Sequence, residues 1–377
     1  MKKLGFGLMR LPLQETSDQT SIDIGRFKQM VDKYLDSGFK YFDTAYPYHG
    51  GKSELAFQEA VSKRYTRDKY EICDKLPCWE ISCSDDMERI FEEQLCRCGV
   101  DYFDYYLLHC LNPENVSKMD RYDGWGFLNH KKEEGKIRNI GFSFHSDSQL
   151  LEELLQNHPE IDYVQLQINY LDWESTTVDS RRCYELCVKY NKPVIVMEPV
   201  KGGSLSIVPS EVETLFRSYN PSASPTSWAI RYCATLPNVH MVLSGMSTLS
   251  HIDDNVSYMS DFKPINPEES SIINEARRII SESIVIPCTS CHYCSNGCPM
   301  KICIPEYFHL YNTIYKFGKE SQLINTSNYY NALSIHHGKA NQCIECGLCE
   351  EHCPQHILII DSLQLVSQIF DTKSVPA

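Results

Sequence analysis

Along the first 260 residues, short runs rich in β-branched and aromatic residues alternate with longer stretches whose apolar positions recur every three or four residues. The short runs predict strands at Leu4–Leu8, Lys40–Thr44, Tyr70–Leu76, Phe103–His109, Ile137–Ser143, Tyr163–Gln167, Val194–Met197 and His240–Ser244. Helical periodicity fills the intervals, for example at Ile24–Ser37, Glu54–Lys63, Asp85–Cys96 and Ser180–Tyr190. This alternation is the pattern of a parallel sheet built from βαβ units. Eight strands over about 250 residues fit a (β/α)8 TIM barrel. The competitor, a doubly wound open sheet, normally carries Gly-x-Gly-x-x-Gly after its first strand. That fingerprint is absent, and Gly5 and Gly7 lie inside a strand-like run. The expected fold class is therefore α/β, with a barrel at its centre.

The pattern changes beyond residue 260. Lys-Pro-Ile-Asn-Pro-Glu-Glu opens a Pro-rich, charged stretch that turns helical over Glu268–Ile280. The expected division is a barrel over 1–281 and a small, mainly helical domain over 282–377. Helical spacing within that domain shows at Tyr307, Leu310, Tyr311 and Ile314, after Pro305.

Composition narrows the function. Hydrophobic residues make up 42% and charged residues 23%, which excludes wholesale disorder. Lys plus Arg number 36 against 50 Asp plus Glu, a formal charge of -14, whereas nucleic-acid binding needs a positive surface. No apolar run approaches the ~18 residues of a membrane span. The opening Met-Lys-Lys-Leu-Gly-Phe-Gly-Leu-Met-Arg resembles a signal peptide only briefly, because Arg10 and Pro12 interrupt it and no small-residue cleavage site follows. The expectation is a cytoplasmic protein with neither nucleic acid nor membrane as partner.

Eighteen cysteines then stand out, since a reducing cytosol does not support disulfides. Nine are scattered through the first 282 residues without ligand spacing and read as packed thiols. Eight of the remaining nine form two runs: Cys288, Cys291, Cys294 and Cys298 before Pro299, and Cys343, Cys346, Cys349 and Cys353 before Pro354. Each is Cys-x2-Cys-x2-Cys-x3-Cys-Pro, the ferredoxin pattern for cubane clusters. Three thiols at x2 spacing on a tight loop reach three irons of one cube. A tetrahedral zinc instead takes separate Cys pairs, leaving the third thiol unexplained. Two 4Fe-4S clusters are expected, with Cys298 crossing to the cube of the second run and Cys353 to that of the first. Cys303 lies outside both runs and reads as a packed thiol.

Chemistry in such barrels sits where strands end. The second strand ends at Asp43, with Tyr48 in the loop beyond; the third ends near Lys75 and the fourth at His109. Singly, these read as a buried ion pair, a rim aromatic and a core histidine. Convergence of an acid, a phenol, an ammonium and an imidazole on one face points to catalysis. In this order and context, Phe-Asp-Thr-Ala-Tyr-Pro-Tyr, Cys-Asp-Lys-Leu and Tyr-Leu-Leu-His resemble the aldo-keto reductase family over residues 1 to about 260. With the tail, the chain resembles the bacterial subgroup carrying a C-terminal ferredoxin domain.

The resemblance implies an oxidoreductase in which Tyr48 is the general acid for carbonyl reduction, or base for alcohol oxidation, Lys75 lowers its pKa, Asp43 fixes Lys75, and His109 orients the substrate oxygen. Tyr46 is the neighbouring alternative. It further implies NAD(P)H, with Ser143 and Gln167 on the carboxamide, Asn169 a weaker neighbour, and Met197 beneath the nicotinamide where many members place an aromatic. Gly202 and Gly203 fall in the loop that closes over the pyrophosphate, and Asn255 near the adenine. Gly245 and His251 stand where NADPH-using members often carry Lys and Arg, which leaves NADH open. Trp79 and Trp125 follow the third and fourth strands, where they can line a substrate pocket. Three functions remain: carbonyl chemistry with clusters that exchange electrons with the site or with an external ferredoxin; nicotinamide-independent electron-transfer reduction; and a binding barrel with structural or redox-sensing clusters.

Overall fold

Period-two alternation, with apolar residues on both faces, buries a strand on both sides, and eight such strands close on one another. In the computed structural model, which describes residues 2–371 except 16, 17, 176, 177, 296 and 318, they form a closed parallel barrel in sequence order. The strands are β1 (Leu4–Gly7), β2 (Tyr41–Asp43), β3 (Glu71–Pro77), β4 (Phe103–Leu111), β5 (Ile137–Phe144), β6 (Tyr163–Gln167), β7 (Val194–Met197) and β8 (Val239–Ser244). Gly5 is required by close packing, because a Cβ there would stand 2.8 Å from the Leu243 side chain and 3.0 Å from Tyr41. Tyr41, Cys73, Leu107, Tyr163, Ile195, Met241 and Leu243 pack as one buried cluster. Phe6, Phe42, Phe57 and Tyr34 are also buried, with Phe6, Tyr34 and Phe42 in mutual ring contact.

The residues divide into two compact units. The first comprises residues 1–199 and 226–265 and contains the whole barrel. The second comprises 200–225 and 266–377, so the chain leaves the barrel after β7, contributes a segment to the second unit, and returns. That second unit is mainly helical, with helices Ser210–Tyr219, Pro267–Ser283, Ile304–Phe317, Lys319–Leu333 and Ile359–Phe370. Its core gathers Ile304, Tyr307, Phe308, Tyr330, Leu363 and Val366 with Cys294, Cys349 and Cys353. Among the described residues no helix is long and apolar enough to cross a membrane. None of the eighteen cysteines is joined in a disulfide.

Candidate active site and cluster cavities

Strand alternation builds the barrel site. Tyr41, Cys73 and Leu107 belong to the buried cluster, and side chains two residues further along a strand share its face. Those residues are Asp43, Lys75 and His109. Lys75 Nζ donates to Asp43 Oδ1 at 2.6 Å and to the Thr44 carbonyl at 2.5 Å. The two side chains are 1% and 4% exposed. The other Asp43 oxygen accepts from Gln165 Nε2 at 3.1 Å. Burial opposes the Lys75 charge, but the Asp43 carboxylate outweighs it and raises the lysine above its ordinary pKa.

Tyr48 opens a 3-10 turn over Tyr48–Gly51, with its amide donating to the Ala45 carbonyl. The next residue, His49, anchors that turn in a left-handed conformation. Its Nε2 accepts from the Leu11 amide at 3.1 Å, which leaves Nδ1 to donate to the Gln19 carbonyl at 2.7 Å. Lys75 Nζ lies 4.8 Å from the Tyr48 ring centroid, and the Tyr48 and His109 rings are 6.1 Å apart. Trp79 packs on His109 at 5.0 Å. Tyr46 is engaged elsewhere: its hydroxyl donates to Glu93, and Arg97 lies over its ring.

Burial and charge set the protonation of the two ring groups. Burial, followed by the negative Asp43, holds the Tyr48 phenol well above the usual tyrosine pKa. The Lys75 ammonium lies 4.8 Å from the Tyr48 ring centroid and directs its hydrogen bonds to Asp43 and Thr44. His109 moves the other way, held well below 6.5 by burial and then by the Lys75 charge, so its imidazole is neutral.

A bulge aims His109. The pairing of β4 with β5 shifts between Leu108 and Leu111, and Cys110 adopts φ +61°. The Cys110 amide donates to Ser143 Oγ at 2.8 Å, tying the bulge to β5. Ser143 retains its own hydroxyl proton as a donor. Gln167 and Asn169 both donate to Asp172 Oδ2, at 3.0 and 2.9 Å. Asn169 also accepts from the Leu171 and Asp172 amides, which makes it a builder of this turn. Met197, at the end of β7, packs against the buried cluster. Trp125 stacks on His158 at 3.7 Å and donates to Asp120.

The nucleotide candidates divide between the units. A Cβ on Gly245 would stand 3.2 Å from Arg10 Cδ, so the aliphatic stem of Arg10 occupies the space beside this glycine. Asn255 is buried; its Nδ2 donates to the His251 carbonyl, and its Oδ1 has no hydrogen-bond partner. Gly202 and Gly203 belong to the second unit. Gly202 lies against the Thr289 backbone, and Gly203 has only Ser206 Oγ within 4 Å of an added Cβ.

The eight tail thiols surround two cavities. Cys288, Cys291, Cys294 and Cys353 line one. Cys298, Cys343, Cys346 and Cys349 line another. Each cavity thus takes three thiols from one run and the fourth from the other. Ile304 lines both, and the remaining walls are largely apolar. Among the described residues no three His, Cys, Asp or Glu side chains form a group that could hold a single ion. Thiols spread around a cavity suit a cube of several irons. The runs also share a backbone trace: left-handed residues recur at Ser290, His292 and Lys301, and at the same offsets at Glu345, Gly347 and His356. Cys303 is buried in the core and lines neither cavity.

Residues 3–278 match the model of the aldo/keto reductase family. The chain belongs to that family. Residues 287–358 match a 4Fe-4S dicluster domain, so this aldo/keto reductase carries two clusters. An aldo-keto reductase of Mycolicibacterium smegmatis is 27% identical over 143 residues, 37% of this chain and 45% of that protein. An uncharacterized oxidoreductase of Schizosaccharomyces pombe is 27% identical over 227 residues, 59% of this chain and 74% of that protein. The chain thus spans less than half of the first relative and about three quarters of the second. Among solved structures, the holo form of aldo-keto reductase AKR11C1 from Bacillus halodurans aligns with a TM-score of 0.59 at 23% identity, over 73% of this chain and 91% of that one. An aldo-keto reductase from Klebsiella pneumoniae in complex with NADPH aligns at 0.56 and 20% identity, over 72% and 90%.

Within this aldo/keto reductase, four side chains that shape the site carried no signal in the sequence. His49 and Asp172 anchor turns, Gln165 holds the rear of Asp43, and Arg10 fills the space at Gly245. Period-two counting from Asp43, Lys75 and His109 could have placed Gln165 inside the barrel; the other three act through contacts between distant segments.

Proposed function

We propose that the barrel reduces a small-molecule carbonyl, or oxidises the matching alcohol, with a nicotinamide nucleotide, and that the two clusters pass electrons. The observation that carries this reading is a buried Asp43–Lys75 pair beneath a partly exposed Tyr48 and beside a neutral His109. When bound, the reduced nucleotide supplies a hydride. The neutral His109 imidazole donates a hydrogen bond to the substrate oxygen and orients it. Tyr48 gives its phenolic proton to that oxygen as negative charge develops there. The Lys75 ammonium, held by Asp43, stabilises the phenolate left behind.

The residues present fit a nucleotide. The unpartnered Asn255 Oδ1 accepts from an adenine amino group, Ser143 offers its hydroxyl to the carboxamide, and Gln167 stands beside it on β6. The Arg10 stem packs at Gly245, which brings one arginine to the segment where NADPH-using members often carry a cation and keeps NADPH alongside NADH as a ligand. Cys288, Cys291, Cys294 and Cys353 hold one cluster; Cys298, Cys343, Cys346 and Cys349 hold the other. Two one-electron centres equal in number the two electrons of one hydride. The thiol-rich composition suits a reducing, cytoplasmic setting and a redox partner such as a ferredoxin.

Met197, which offers no aromatic face for the nicotinamide, favours a second reading in which electrons reach the substrate from the clusters alone. The two readings separate in anaerobically purified protein given NADPH or NADH with a panel of aldehydes and quinones, while the clusters are followed by electron paramagnetic resonance. The first requires nucleotide-dependent turnover. Substrate that oxidises reduced clusters, with no effect of either nucleotide, establishes the second and overturns the first.

A further inference from the structure

The two cysteine runs have the same spacing and place left-handed residues at the same offsets, so each serves as a control for the other. Thr289 follows the first cysteine of its run as Ile344 follows that of the second. Thr289 is 2% exposed and Ile344 is 57% exposed. The difference has an identifiable neighbour. Gly202, carried on the segment that leaves β7 and joins the second unit, lies directly against Thr289. A Cβ built on Gly202 would stand 2.0 Å from the Thr289 carbonyl oxygen, 2.6 Å from its carbonyl carbon and 2.8 Å from its Cα. All three are backbone atoms, which cannot swing aside as a side chain does, and Thr289 itself lines the cavity of Cys288, Cys291, Cys294 and Cys353.

We infer that Gly202 is a positioning residue for the first cluster: it seats the Cys288–Cys291 loop from outside the cysteine motif. This rests on the cysteine assignment proposed above. Any side chain at residue 202 must push Thr289, and with it Cys288 and Cys291, out of the positions from which their sulfurs share a cube with Cys294 and Cys353. Ile344 is exposed in the second run, so the second cluster keeps its geometry. One stretch of the barrel's own chain is thereby part of a cluster site, although no cysteine motif marks it.

Gly202→Ala in the full-length chain, reconstituted anaerobically, tests this. Iron should fall about twofold, from about eight to about four atoms per chain, with far-ultraviolet circular dichroism unchanged. The remaining reduced-cluster paramagnetic signal should overlay that of Cys291→Ala, not that of Cys346→Ala. Gly203→Ala is the paired control. Gly203 also has positive φ, +97° against +62° for Gly202, but its added Cβ meets nothing closer than 3.9 Å. It should keep about eight irons. Full iron loading in Gly202→Ala, a residual signal matching Cys346→Ala, or equal iron loss in Gly203→Ala would each overturn the seat. A wild-type chain that binds no iron would overturn the cysteine assignment itself.

Discussion

Tyr48 holds its proton more tightly than a free phenol, which sets the pH dependence expected of the proposed reaction. Burial and Asp43 raise its pKa, so it enters the reaction as an acid. Reduction, which needs the protonated phenol, should therefore have a kcat/KM that stays level from pH 6 to about 10 and falls only above the ordinary tyrosine value. Alcohol oxidation, which needs the phenolate, should rise with pH throughout that window. His109 adds no inflection near 6.5, because its pKa is displaced downward and it is already neutral there. Measuring both directions across pH checks this; a reduction rate that declines through pH 7 would show a phenol acidified by Lys75. The identity of the four residues was legible because each sits at a strand end or a fixed distance beyond one. Their electrostatics were not. Which acceptors Lys75 chooses depends on Thr44 and Asp43 closing around it, and residue order does not specify that.

At the scale of elements, β6 and β7 have the bounds that alternation predicts, Tyr163–Gln167 and Val194–Met197, since both are short apolar runs between polar turns. The stretch Glu54–Lys63 has one helical period in the sequence, but folds as an α-helix Ser53–Phe57 followed by a π-turn Gln58–Ser62. Hydrophobic spacing cannot distinguish the two hydrogen-bond patterns over so few residues. The β4 bulge was equally hidden, as it arises from register against β5. Its contribution can be measured through Ser143→Ala, which removes the acceptor of the half-buried Cys110 amide at a cost of about 0.5–1.5 kcal/mol. Chemical denaturation should report that loss, and kcat should fall as His109 is released. Unchanged stability would show that the Ser143 tie is not what holds the bulge. Trp125 illustrates the limit of reasoning from loop position: its ring is taken by His158.

For the whole molecule, the division between barrel and tail follows from a shift in cysteine density that any fold must respect. The assignment of residues 200–225 to the second unit does not follow, because nothing local marks that segment as belonging with a tail some 60 residues away. The second unit's core includes Cys294, Cys349 and Cys353 themselves, so metal binding and folding are coupled there. Stripping iron with ferricyanide and a chelator should open a separate low-temperature transition in calorimetry, while the barrel's transition persists. A single unshifted transition would mean that the clusters add nothing to stability.

The central claim is that Tyr48 delivers the proton in the barrel of a chain whose clusters lie elsewhere. Its most direct test is the kcat of Tyr48→Phe for NADPH-dependent reduction of a reactive aldehyde, in protein matched to wild type for iron content. The account predicts a fall of roughly 10²–10⁴-fold with cluster loading unchanged. Turnover within about threefold of wild type would contradict it.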